Sequence, residues 1–155
     1  MLLKKQEKDN VTKAIYASSN ICGSTYDRTS KNLTIIFNNG GQYLYANVSE
    51  TDYTRFELAD SQGVVFNSHI KKHDFQKLDK VDTSAILTEV SQLKDAEKKT
   101  KIDYAAKLLV GAINAVAVYF ETTGEIDPTL YSKMKKYIEE YDKITTSTTT
   151  TVVTD

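Results

Sequence analysis

Asn32-Leu-Thr-Ile-Ile-Phe-Asn-Asn-Gly-Gly-Gln-Tyr-Leu-Tyr-Ala-Asn-Val48 consists of two runs of strand-forming residues joined by a turn. Asn39-Gly40 suits the positive φ angles of a two-residue type I′ turn, whose twist matches that of the flanking strands. That loop pairs Phe37 with Gln42, Ile36 with Tyr43, Ile35 with Leu44 and Thr34 with Tyr45, and so sets the register. Leu33, Ile35, Phe37 and Leu44 then form one face, and Thr34, Ile36, Tyr43 and Tyr45 the other. The first reads as core. The second is an aromatic surface that needs a cover or a partner.

Outward from this hairpin, the chain of 155 residues is long enough for one domain, or for a small domain with a helical addition. Its 20 basic and 21 acidic residues leave a formal net charge of -1, which gives no bulk electrostatic case for binding nucleic acid. Cys22 is the single cysteine and has no disulfide partner within the chain. Residues 1–8 have no apolar run of signal-peptide length. Tyr104–Phe120 is short for a membrane span and is interrupted by Lys107 and Asn114. These features predict a soluble, cytoplasmic protein, in the host cytoplasm or a virion if phage-encoded.

Along the chain, residues 1–13 read as a polar leader. A strand between Ala14 and Tyr26, broken at Ser18-Ser19-Asn20, joins the hairpin to make a three-stranded antiparallel sheet. Ser49 caps a helix carrying Tyr53 and Phe56, which covers one sheet face; Ser61-Gln62-Gly63 ends it. Residues 14–78 form this α+β domain, and 75–81 is a short link. From Val81 the spacing turns helical. Ile86, Leu87, Val90 and Leu93 share a face, Ala96–Lys101 is a charged link or a continuation, and Ile102–Glu121 is apolar on nearly every turn. A helix apolar all round requires burial on more than one side. Asp127-Pro128 starts the last helix, with Asp127 as N-cap and Pro128 at the first helical position. Residues 79–143 thus form a helical region packed on the sheet, and 144–155 an extended Thr-rich tail.

Ser18-Ser19-Asn20-Ile21, Tyr26-Asp27, Phe37 with Asn39-Gly40-Gly41, Tyr43, Tyr45, Val48, Tyr53, Ala59-Asp60-Ser61, Gly63, and Phe66-Asn67 followed by Ile70 resemble the KTSC domain in order and spacing. This small module occurs alone in bacterial and phage proteins and is appended to some lysyl-tRNA synthetases. The resemblance spans residues 18–75 and implies a small α+β fold, with nucleic-acid or nucleotide contact suggested by the synthetase attachment. The chain departs from the family pattern at Thr25, Ser49 and Lys71. At Lys71 the family tends to have Arg, and Lys offers a point charge in place of a planar fork.

A ligand could lie against Tyr43 and Tyr45, with Asn67, His69, Lys71 and Lys72 as its polar edge. The plainer reading makes the tyrosines scaffold under the C-terminal helices and the lysines solvated. His69 and His73 stand four residues apart, but lack the third ligand or HExxH glutamate that would argue for a metal. Asn38-Asn39-Gly40-Gly41 opens no helix, so it is hairpin chemistry and not a phosphate loop. Nothing assembles an active site; no enzyme activity, metal or cofactor is expected. Leu109, Ile113, Val116 and Phe120 on the apolar helix, with Val152 and Val153 in the tail, are the expected contacts to protein partners. The sequence therefore predicts a non-catalytic interaction or assembly protein, homo-oligomeric or part of a larger phage-related assembly and not membrane-bound. The alternative is a module that binds a nucleotide or single-stranded nucleic acid.

Overall fold

A computed structural model describes residues 1–146. The chain is α+β and divides into two compact units, Met1–Lys94 and Asp95–Asp155, with the boundary inside one long helix. The first unit is built on a six-stranded antiparallel sheet in sequence order: β1 (Leu2–Lys8), β2 (Val11–Tyr16), β3 (Ile21–Asp27), β4 (Asn32–Phe37), β5 (Gln42–Tyr45) and β6 (Phe75–Leu78).

Three strands were expected and six are present among the described residues. The polar leader is β1 and the start of β2, joined by a tight turn in which Asp9 and Asn10 take positive φ. As an edge strand with one exposed side, β1 carries Lys4, Lys5, Gln6, Glu7 and Lys8, a charged composition that resists further pairing and conceals its strand character. The expected link at 75–81 contains β6, the opposite edge.

The hairpin exists, but its register differs by one residue. Leu33 pairs with Tyr45, Thr34 with Leu44, Ile35 with Tyr43 and Ile36 with Gln42. The loop has one residue more than a two-residue turn: the Gly40 N–H donates to the Phe37 carbonyl, the Phe37 N–H to the Gly41 carbonyl, and Gly40 alone adopts positive φ, +86°. This is a type I turn closed by a left-handed glycine. One residue of slip exchanges the faces of a strand. Tyr43 and Tyr45 therefore share a face with Leu33, Ile35 and Phe37, while Leu44 joins Thr34 and Ile36.

Helix α1 (Glu50–Glu57), α2 (Gln62–Val65) and a π-helical turn (Phe66–Ile70) cover that face. Ser49 caps α1 as expected, its hydroxyl accepting from the Asp52 N–H at 3.1 Å. Gln62 does not end α1, as the sequence suggested, but begins α2; its buried amide donates to the Ala59 carbonyl and accepts from the chain's terminal amino group. Tyr53 stacks on Tyr26 (4.1 Å, 17°), and Phe56 meets the edge of Tyr16 (5.3 Å, 69°). The Tyr26 hydroxyl donates to the Val48 carbonyl, tying β3 to the start of α1. Arg28 reaches Thr12, Glu50 and Glu7, and so clamps β1, β2 and α1 to the end of β3. On the opposite face Ile86, from the first turns of the long helix, shares a cleft with Ile15, Gly23 and Ile36, and Lys4 pairs with Glu89.

The charged segment 96–101 does not interrupt the helix. Helix α3 runs unbroken from Ser84 to Thr123, 40 residues. In the second unit α4 (Pro128–Thr146) follows Gly124, which takes φ +75°. The Asp127 carboxylate accepts from the Leu130 N–H at 2.8 Å, the cap read from Asp127-Pro128. Residues 144–146, assigned to the tail, are the end of α4; the expected tail contacts Val152 and Val153 lie outside the described residues.

Gly40→Ala would force a side chain into positive φ and onto the Val81 carbonyl oxygen. It should destabilise the first unit by about 1–3 kcal/mol in urea denaturation. Burial pushes the Tyr16 and Tyr53 hydroxyls above their usual 10.0. The raised folded-state values mean that their contribution is complete below pH 10.0 and is lost as pH rises beyond it, where unfolded tyrosines ionise. Unfolding followed by circular dichroism should show stability falling above that pH, and less steeply in Tyr16→Phe.

Candidate functional site

Alternate residues on β4, β5 and β6 align in cross-strand rows on the helix-covered face. Leu33, Tyr45 and Phe75 form one row, and Ile35, Tyr43 and Lys77 the next. The helical cover reaches Tyr45, which is 5% exposed and meets Phe66 of the π turn at 5.6 Å. Phe66 also contacts Phe37 at 5.5 Å. Cover for Tyr45 thus comes from the π turn of its own unit. Burial raises the Tyr45 hydroxyl above its ordinary value.

Beyond Tyr45 the cover ends. Tyr43 is half-buried, with Phe37 at 5.8 Å (88°) and Phe75 at 5.9 Å (64°), and Phe75 itself is 62% exposed on the edge strand. Here the sheet forms an open groove of about 480 Å³, with Phe37, Tyr43 and Tyr45 as its aromatic wall and Asn39, Lys77 and Lys80 as its polar rim. The Asn39 side-chain oxygen Oδ1 accepts from the Gly41 N–H at 2.9 Å, which leaves the side-chain nitrogen Nδ2 as the group to be offered. Neither lysine is paired with a carboxylate among the described residues, and none of the groove's lining residues is acidic.

The candidate set named from sequence is therefore split. Tyr43 and Tyr45 line the groove; Asn67, His69, Lys71 and Lys72 do not. Asn67, Lys71 and Lys72 are exposed on or just after the π turn, and the His69 ring nitrogen Nδ1 meets the Ser68 hydroxyl at 2.7 Å. His73 does not share a site with His69: its Nε2 is buried, 4.0 Å from a carboxylate oxygen of Asp52. Lys77 and Lys80 were missed because residues 75–81 read as a link. Phe75-Gln76-Lys77-Leu78 reads apolar-polar-polar-apolar, so no period-two pattern marks it as a strand.

Residues 17–75 match the family model of the KTSC domain. A KTSC domain protein from Yersinia pestis, known from its crystal structure, is 31% identical over 44% of this chain and 99% of that chain, with a TM-score of 0.43. This chain belongs to the KTSC domain family. No curated protein matches it. The KTSC segment supplies β3, β4, β5, α1, α2 and the π turn, and stops at the first residue of β6. Strands β1 and β2 and nearly all of β6 thus lie outside the KTSC segment, as do Lys77 and Lys80; the groove joins KTSC aromatic residues to cations beyond it.

The second unit presents a different surface. Among its described residues Ala105 and Ala112 are buried, whereas Val110 (57%), Val118 (61%) and Phe120 (52%) are exposed. Of the interaction residues read from sequence, Ile113 and Phe120 are exposed and Leu109 and Val116 half-buried. Leu130 and Tyr137 of α4 face Leu108, Ala112 and Ala115 of α3 across a cleft of about 250 Å³. By length and composition α3 is apolar enough to cross a membrane, with an 18-residue window of mean hydropathy 1.4.

Tyr45→Ala should cost about 3 kcal/mol in urea denaturation, because its ring is enclosed by Phe66 and Phe75. Phe75→Ala should cost about 1 kcal/mol or less, since that ring is mostly in solvent.

Proposed function

We propose that this chain is a non-catalytic assembly protein of the cytoplasm, in which a KTSC unit is joined to a helical unit that associates with a second copy. The observation that carries this reading is the exposed apolar face of α3. A two-helix hairpin cannot enclose a core of its own, and pairing two hairpins gives a four-helix bundle. The second unit's exposed Val110, Ile113, Val118 and Phe120 are numerous enough to make such a core. Gly111, Asn114, Ala115 and Val118 also border an open trough of about 580 Å³, where small side chains permit another helix to approach.

Charge favours a copy of the same chain over a strongly charged partner. Residues 95–146 carry eight lysines and nine carboxylates, so two such units neither repel nor attract strongly as wholes. No set of three His, Cys, Asp or Glu side chains suited to a metal occurs among the described residues, and the groove's lining residues include no acid–base pair.

Size-exclusion chromatography with light scattering should give a dimer or higher oligomer for the full chain. Val118→Glu combined with Phe120→Glu should return it to a monomer with the sheet unit intact by circular dichroism. A wild-type monomer at tens of micromolar would sink the proposal. Recovery of the unmodified chain in the membrane fraction would sink it equally and assign α3 to a bilayer.

A further inference from the structure

We propose that the groove between the β4–β5 turn and the β6 edge binds a nucleotide, that is, a planar base carrying a phosphate. The inference rests on the sheet unit alone and is independent of the helical association. Three features of the groove converge on this ligand chemistry.

Its wall is aromatic and unfinished. Phe37, Tyr43 and Tyr45 continue the covered face of the sheet past the end of the cover, and Phe75 adjoins them with most of its ring in water. The ring contacts around Tyr43 are edge-on, at 88° and 64°, so no ring among the described residues stacks parallel to it. A flat heteroaromatic ring would supply that stack and remove apolar surface from water.

The rim has one sign of charge. Lys77 stands opposite Tyr43 in the strand pairing, Lys80 follows three residues later just past the end of β6, and the groove's lining residues bring no carboxylate to neutralise either. Asp79 lies between them in the chain but is not among the lining residues. Two ammonium groups without a carboxylate partner among the described residues, beside an aromatic wall, favour a ligand with an anionic end, and the Asn39 side-chain nitrogen adds a neutral donor.

The size is suitable. A groove of about 480 Å³ falls within the range of about 300–1,000 Å³ usual for small-molecule sites. Without a carboxylate or histidine on its lining, the groove has the chemistry to hold such a ligand and not to turn it over.

Calorimetric titration of the full chain with nucleoside 5′-monophosphates, adenosine, inorganic phosphate and a short oligothymidylate tests the proposal. At least one monophosphate should bind, with adenosine and phosphate each about tenfold weaker or more. A Lys77→Ala, Lys80→Ala double variant should lose about tenfold in affinity, since both sites are exposed and their loss leaves the fold intact. Tyr43→Leu, which keeps apolar volume but removes the ring, should weaken binding by a similar factor. Tighter binding of the oligothymidylate would assign the phosphate to a single strand, and tighter binding of a monophosphate to a free nucleotide. No heat from any nucleotide or oligonucleotide at millimolar concentration would overturn the proposal, as would affinity unchanged in both variants.

Discussion

Gly40 holds φ +86° with the Val81 carbonyl where a side chain would otherwise be, and the covered face of the sheet depends on that one residue. Its left-handed conformation closes a three-residue loop, and the loop length sets which residues of β5 face the same way as Ile35. Tyr45 thereby enters the core under Phe66, and Tyr43 is brought to the groove. The same glycine makes room for residues 80–83 to pass close by. The Val81 N–H donates to the Gly40 carbonyl, and the Thr83 hydroxyl to the Asn38 carbonyl, so that the chain leaving β6 is fastened back onto the turn. One backbone constraint thus governs the core, the groove and the route into α3.

Features fixed by local chemistry were readable from residue types alone. Ser49 and Asp127 occupy the cap positions assigned to them, because a short side chain that accepts from the third helical N–H has few alternatives. The hairpin itself was equally plain. Its register was not, since Asn39-Gly40 is compatible both with a two-residue loop of two positive φ angles and with a three-residue loop in which only the glycine is left-handed. Edge strands were harder still. The charges of β1 protect its open side and erase the alternation that would have revealed it, while β6 is only four residues long.

The site was half legible for a related reason. Tyr43 and Tyr45 stood out as aromatic residues on a strand, but their cations come from β6 and the segment after it, which only strand pairing brings alongside. Asn67, Lys71 and Lys72 looked closer because polar residues cluster there in sequence; the π turn instead leaves them in solvent. Contiguity along the chain and adjacency across a sheet are different geometries, and the groove follows the second.

The two units are unequally furnished inside. Tyr16, Tyr26, Tyr53 and Phe56 are enclosed in the first, while the buried apolar residues described in the second are two alanines. Cooperativity depends on shared buried surface, so units furnished this unequally are expected to unfold in separate transitions, and a single melting temperature would not describe both. If the helices associate, their transition moves with protein concentration, and the sheet's does not. The chain then has one stability that is a property of the molecule and another that is a property of the solution.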